Sequence, residues 1–201
     1  MPRIPVYILA GGRSSRFGAD KARLELAGVS MLDWAASQYL HLDPEPRVIA
    51  DRLGKYEDLG YTTLADLQPG RGPAGGLAAA LSDCRRREGH DGWLLIAACD
   101  RLGIREEWLE RLLSARRTDR KWVAFRDRHW QPLPSLVHCR QKLGQETALW
   151  RIIEAASPLG LDLPRDWDYS ADFNDPRTLG RVERQTGTGV DRGMVLPLHR
   201  A

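Results

Sequence analysis

The segment Leu9-Ala10-Gly11-Gly12-Arg13-Ser14-Ser15-Arg16-Phe17-Gly18-Ala19-Asp20-Lys21 gathers residue types that suit an anionic ligand. Gly11 and Gly12 let backbone N–H groups approach phosphate oxygens with no Cβ in the way. Ser14 and Ser15 add hydroxyl donors. Arg16 and Lys21 add cations, the first a planar fork and the second a point charge. The pattern reads as a phosphate-binding loop for a nucleoside triphosphate, with a plain strand-to-helix turn as the alternative. It lacks the Gly-Lys-Ser/Thr ending of a Walker A loop, and it does not spell the GxGxxG of a dinucleotide site.

A second chemical position is Cys99-Asp100, which closes the apolar run Trp93-Leu94-Leu95-Ile96-Ala97-Ala98. An acid at the end of a buried strand is costly unless it is solvated, paired or bound to a metal. A magnesium ion (Mg2+) bridging a carboxylate and phosphates is one solution. A helix N-cap, or an ion pair with Arg101, is the other. Asp66 stands ahead of Pro69-Gly70-Arg71-Gly72-Pro73, either as a nucleotide contact or as the start of an Asx-type turn. Gly75, within Gly72-Pro73-Ala74-Gly75-Gly76, either admits a base or ribose or lets a helix pack closely on a sheet. The histidines share no metal-ligand spacing.

These positions need strands to present them. Val6-Tyr7-Ile8-Leu9, Arg47-Val48-Ile49-Ala50, Tyr61-Thr62-Thr63-Leu64 and Trp93 to Ala98 are short apolar runs that stop at glycine, proline or acid. Helical spacing predicts helices over about residues 31–40 (capped by Ser30), 75–87, 105–115 and 141–156. Trp122-Val123-Ala124-Phe125 and Leu136-Val137-His138 are further strands. Strands alternating with helices through the first 115 residues indicate an α/β fold with a mostly parallel sheet. Such folds bind ligands at the carboxyl ends of their strands. The loops after Leu9, Leu64 and Ala98 all sit there. One domain is expected over residues 1–184, with residues 185–201 as a flexible tail.

With 201 residues, 42% hydrophobic and 28% charged, the chain has the composition of a soluble globular protein. A net charge of +3 is too small to indicate nucleic acid, and no apolar run reaches the length of a membrane span. The opening apolar run leads straight into the glycine loop, so it reads as a strand rather than a signal peptide. Cys84, Cys99 and Cys139 form no CxxC pair, which argues against a disulfide framework and makes the cytoplasm the expected compartment.

Residues 9–21 match LAGGxSxRxGxDK at every defined position, and in this the chain resembles the molybdenum cofactor guanylyltransferases. The family's Leu-x-x-Gly echo is similar to Leu24-Glu25-Leu26-Ala27-Gly28. Its Asp with a Gly-Pro-x-x-Gly loop is similar to Asp66 and Gly72 to Gly76, and its Cys-Asp to Cys99-Asp100. Its late Asn-x-Asn-Thr-Pro is echoed by Asp172-Phe173-Asn174-Asp175-Pro176.

The resemblance implies a Rossmann-like three-layer nucleotidyltransferase fold that binds GTP with Mg2+ and transfers GMP to molybdenum-loaded molybdopterin. It implies Leu9, Ala10, Gly11, Lys21, Asp51, Asp66 and Asp100 as nucleotide contacts, to which the loop residues themselves add Gly12, Ser14 and Gly75, and it leads to Arg16, Lys21 and Asp100 as catalytic. Asp100 would hold the metal, and Asp172, at a position where related cytidylyltransferases carry an acid, would be a second ligand. Within the group, Ala10-Gly11-Gly12 goes with GTP rather than CTP. Leu102 stands where the family usually has proline, and Asp51 where it often has asparagine. Proteins that mature molybdoenzymes are the expected macromolecular partners; nucleic acid and membrane are not. A cytidylyl- or sugar-phosphate nucleotidyltransferase and a non-catalytic GTP-binding relative are the competing readings.

Overall fold

Apolar strands and amphipathic helices assemble here as a seven-stranded sheet between two pairs of helices. The computed structural model describes residues 3–11, 20–26, 28–117 and 119–169. Gly12, Ser14, Arg16, Asp172 and the boundary expected at residue 184 lie outside them.

In chain order the elements are β1 (Val6–Leu9), the short pair β2 (Glu25–Leu26) and β3 (Val29–Ser30), α1 (Met31–Ser37), β4 (Arg47–Ala50) and β5 (Thr63–Ala65). Then come α2 (Pro73–Glu88), β6 (Trp93–Ala98), α3 (Glu106–Ser114), β7 (Trp122–Arg126), β8 (Trp130–His138), α4 (Leu149–Ala156) and β9 (Leu159–Asp162). The sheet order is β5-β4-β1-β6-β8-β7-β9. Strand β8 runs antiparallel to both its neighbours and every other pairing in this sheet is parallel.

Alternation along the strands sorts the core into two layers. Val6, Ile8, Val48, Leu95 and Ala97 join Leu32 and Trp34 of α1 and Trp108 and Leu112 of α3. Tyr7, Ile49, Leu94 and Ile96 join Leu77 and Leu81 of α2 and Ile152 and Ile153 of α4. Burial on both faces is why these strands read as unbroken apolar runs. The chain leaves β1 for β4 over one face and returns from β5 to β6 over the other. The connection order therefore reverses between β1 and β6, which opens a crevice at their carboxyl ends.

Ser30 caps α1 as expected, its Oγ accepting the Asp33 N–H at 3.0 Å. Helix α2 begins at Pro73, two residues before the expected start. Gly72, at φ 59°, turns the chain, and proline fills the first helical position, where its missing N–H is no loss. The helix expected over residues 141–156 forms only at Leu149–Ala156. Upstream, the Gln145 carbonyl is taken at 2.8 Å by Arg71 from another loop, which stabilises a non-helical path around Gly144.

The strand expected at residues 136–138 is the end of the longer β8. Pro132 and Pro134 mask its first half in the sequence. Both lie where the β7 register jumps from Ala124↔Ser135 to Phe125↔Gln131, and beyond Ile96↔Ser135, where pairing with β6 stops. In that bulge no ladder N–H is required of them. No helix among the described residues is long and apolar enough to cross a membrane.

A buried ion network fixes α2 to the sheet. Asp83, 2% exposed, accepts the Tyr7 hydroxyl at 2.8 Å. It also accepts Arg47 Nη1 at 3.0 Å on both oxygens, and Arg86. Removing one partner of a buried pair strands the others. Asp83→Ala is therefore expected to lower stability by about 3 kcal/mol, the low end of the range because Arg47 reaches solvent, as measured by denaturant unfolding.

Candidate active site at the carboxyl ends of the parallel strands

Three backbone bonds set the roots of the site loops. The Ala10 N–H donates to the Ile49 carbonyl at 2.9 Å, Cys99 to Leu9 at 3.1 Å and Asp66 to Ala50 at 2.8 Å. Leu9, Ala10 and Gly11, together with Asp51, Asp66 and Asp100, thus leave one end of four adjacent strands. Gly11 is exposed, and a Cβ there would make only ordinary contacts, 3.5 Å from Ala50 Cα. Internal packing does not demand this glycine, which fits a surface left clear for a ligand.

Lys21 and Asp100, 79 positions apart, meet here with Nζ 2.9 Å from Oδ2. Their side chains are 12% and 29% exposed. The acid at the strand end is therefore paired, but with Lys21 rather than with neighbouring Arg101. Arg101 turns away, donating to the Asp168 carbonyl at 2.7 Å and stacking 4.2 Å from the Trp167 ring centre. Burial, and then the Asp100 charge, push the Cys99 thiol up to about 12, so it is not a nucleophile.

The loop after Asp100 is held without a proline. Leu102 is buried in the core, and the Gln38 amide at the end of α1 brackets the loop. Gln38 Nε2 donates to the Arg101 carbonyl at 3.0 Å, and its Oε1 accepts the Ile104 N–H at 2.6 Å.

Asp51 is 67% exposed and pairs with Lys55 at 2.9 Å, a hydrogen bond that holds its carboxyl below the usual range. Lys55 also reaches Asp20 at 3.2 Å. Burial works against its ammonium, yet the bonds to Asp51 and Asp20 outweigh this and raise its pKa. The Tyr56 hydroxyl lies 3.0 Å from both Asp20 oxygens and 3.3 Å from the Ala10 carbonyl. Burial, followed by the Asp20 charge, pushes it above its ordinary pKa and keeps it a donor.

Asp66 makes the Asx turn, accepting the Gln68 N–H at 2.7 Å. Gly75 belongs to the same arrangement, since a Cβ there would lie 1.9 Å from Asp66 Oδ1 and 2.8 Å from the Gln68 carbonyl. A Cβ on Gly76 would press on Leu9 at 3.1 Å and Ile49 at 3.2 Å. The small residues of α2 thus serve close packing, and at Gly75 what they admit is a carboxylate of the chain itself.

Of the expected site residues, Lys21 and Asp100 are in contact, Asp66 and Gly75 are in contact, and Leu9 to Gly11 lie beside Ala50 and Asp51. Sequence reasoning missed Gln38, Lys55, Tyr56 and the anchoring role of Asp20. Only Asp20, next to Lys21, stood in a recognisable motif.

Among the described residues no three His, Cys, Asp or Glu side chains gather as a metal site. A single strand-end carboxylate is nonetheless what Mg2+ requires when phosphates and water complete its oxygen shell. The hard donor at Asp100 fits that ion.

A profile of the MobA-like NTP transferase domain matches residues 6–159. A Deinococcus radiodurans protein named "Probable molybdenum cofactor guanylyltransferase" is 35% identical over 133 residues, 65% of each chain, so this chain spans just under two thirds of that relative's length. The molybdenum cofactor guanylyltransferase of Pseudomonas syringae is 28% identical over 200 residues, covering 88% of this chain and 91% of its own. Among solved structures, molybdopterin-guanine dinucleotide biosynthesis protein A from Archaeoglobus fulgidus shares the fold. Its TM-score is 0.71 at 20% identity, over 92% of this chain and 99% of that one.

Gly75→Ala sets two effects against each other. Alanine gains up to about 1 kcal/mol of helix propensity. The clash with Asp66 and the Gln68 backbone is the larger effect, since overpacking costs about 1–3 kcal/mol. A net loss of about 1 kcal/mol is expected in thermal or chemical unfolding. Gly144→Ala, where a Cβ meets nothing within 4 Å, is expected to be close to neutral.

Proposed function

The chain belongs to the MobA-like NTP transferase domain family, and on that premise we propose that it transfers GMP from GTP to molybdenum-loaded molybdopterin. The observation that carries this reading is the Lys21–Asp100 pair at the crevice between β1 and β6. It joins a cation suited to phosphate and a carboxylate suited to Mg2+ where parallel α/β sheets bind nucleotides. The names of the Deinococcus and Pseudomonas relatives supply the substrate class.

In this reading a phosphate oxygen of the acceptor attacks the α-phosphorus of GTP. The bond from that phosphorus to the bridging oxygen breaks, and pyrophosphate leaves. No side chain has to form a covalent intermediate; positioning and charge neutralisation supply the catalysis. Backbone N–H groups from Gly11 onward orient the phosphates, and Lys21 and Arg16 neutralise charge that grows in the transition state. Asp100, with Asp172 as a second ligand, would hold Mg2+, which polarises the α-phosphate and steadies the leaving group when bound. Ala10-Gly11-Gly12 supports guanine as the base. The cytoplasm as compartment, proteins of molybdoenzyme maturation as partners, and residues 1–184 as the catalytic unit belong to the same proposal.

The test starts with nucleotide selectivity. With Mg2+ present, GTP is expected to raise the melting temperature more than CTP, UTP or ATP, because only a ligand bound to the folded state does so. A CTP preference would overturn the guanine assignment. Pyrophosphate release is then measured with molybdopterin as acceptor. Lys21→Ala is expected to lower turnover by about 2–4 kcal/mol of transition-state stabilisation. Near-unchanged turnover in that variant would refute the role of Lys21.

A further inference from the structure

Ala10, just past β1, and Asp20, ahead of the turn Lys21–Arg23, are both touched by one side chain. Tyr56 is fully buried, with the Lys55 ammonium and the Arg23 guanidinium each 5.3 Å from its ring centre. Its hydroxyl carries one proton, shared between the Asp20 carboxylate at 3.0 Å and the Ala10 carbonyl at 3.3 Å.

Asp20 in turn caps the 3-10 turn Lys21–Arg23, Oδ1 accepting the Ala22 N–H at 3.1 Å. The first residue of that turn is Lys21, whose ammonium lies on Asp100. A continuous chain of contacts thus runs from Tyr56 through Asp20 to the Lys21 backbone and on to Asp100.

From this geometry we propose that Tyr56 is a positioning residue, whose hydroxyl fixes Asp20 relative to Ala10 and thereby places Lys21 on Asp100. Its importance for turnover rests on the activity proposed above. Lys55 and Tyr56 divide the task at Asp20. Lys55, 3.2 Å from the carboxylate, balances its charge, but it does so from the end of a flexible four-carbon stem. Tyr56 swings on two torsions and its ring is immobilised by burial, so its hydroxyl fixes a place as well as a partner. The ring alone would fill the same volume and lose that anchor.

Tyr56→Phe removes the hydroxyl and keeps the packing. The first readout needs no substrate: the 15Nζ ammonium resonance of Lys21 in the ligand-free protein, assigned by its loss in Lys21→Arg. In the wild type the ion pair with Asp100 is expected to slow proton exchange enough for the resonance to be seen. In Tyr56→Phe it is expected to vanish into fast exchange, while the melting temperature falls by only about 2–4 °C, the effect of one hydrogen bond. If Tyr56→Phe does not fold, Asp20 decides. Asp20→Asn keeps an acceptor for both the hydroxyl and the cap and retains the resonance, whereas Asp20→Ala loses it.

The second readout is turnover. Tyr56→Phe is expected to lower kcat about 10- to 100-fold, and to cause no further loss in a Lys21→Ala background. A merely structural tyrosine would depress both backgrounds equally. A Lys21 resonance unchanged in Tyr56→Phe, or additive losses in the double variant, would overturn the proposal. A wild type that turns over no nucleotide, yet shows the resonance and its loss in Tyr56→Phe, supports the positioning and refutes only the activity.

Discussion

The bonds from Ala10 to Ile49, Cys99 to Leu9 and Asp66 to Ala50 each join residues within one position of the ends of their strands. They extend the parallel ladder just far enough to level the points where the loops depart. Several of the candidate site residues hang from those points. Gly11, Asp51, Asp66 and Asp100 follow one or two residues later, too soon for the backbone to wander. A parallel sheet buried on both faces is the only part of a small α/β protein stiff enough to set such levels, because its strands cannot shift without unpacking both helical layers. The Asp83 network adds to this by bolting α2 across β1 and β4 with charge-assisted bonds to Tyr7 and Arg47.

Charges in the crevice are arranged as exchangeable pairs. Lys21 holds Asp100, and Lys55 holds both Asp20 and Asp51. Each pair keeps enough exposure to remain hydrated in part, so the cost of parting it stays modest compared with a dry ion pair. In the proposed reaction the triphosphate would offer the cations a richer partner, and Mg2+ would do the same for the carboxylates. The pairs hold these groups already in place, which would reduce the reorganisation that binding requires.

Legibility in the sequence followed the range of the interaction. The apolar runs of β1, β4 and β6, the Ser30 cap and the Asx turn at Asp66 are local patterns, and they were readable as such. The strand ends that carry Gly11 and Asp100 came with them. The first half of β8 was hidden by Pro132 and Pro134, whose local preferences oppose a strand unless a bulge removes their ladder duties. The first half of the helix expected over residues 141–156 does not form, and there Arg71 bonds to the Gln145 carbonyl across 74 positions, a contact that local spacing does not show. Gln38 and Tyr56 are ordinary residues whose roles come from partners 63, 66, 46 and 36 positions away. Only the tertiary fold brings those partners together. The core glycines were ambiguous for a related reason: Gly75 is small because Asp66 needs the room, and that neighbour is known only once α2 is docked.

The bulge in β8 has a consequence for how this architecture diversifies. Pairing with β6 ends at Ile96↔Ser135, so residues 131–134 make no ladder pair with the parallel half, and of these only Gln131 pairs with β7. The carboxyl ends of the parallel strands are thus tied to one another by backbone bonds, while this stretch of β8 is not tied to them. Side chains on this stretch can be exchanged for larger, smaller or differently charged ones without disturbing the register of β1, β4 or β5. In the proposed reaction, that freedom would let one nucleotide-side scaffold be refitted for different acceptors by editing a few residues on one strand.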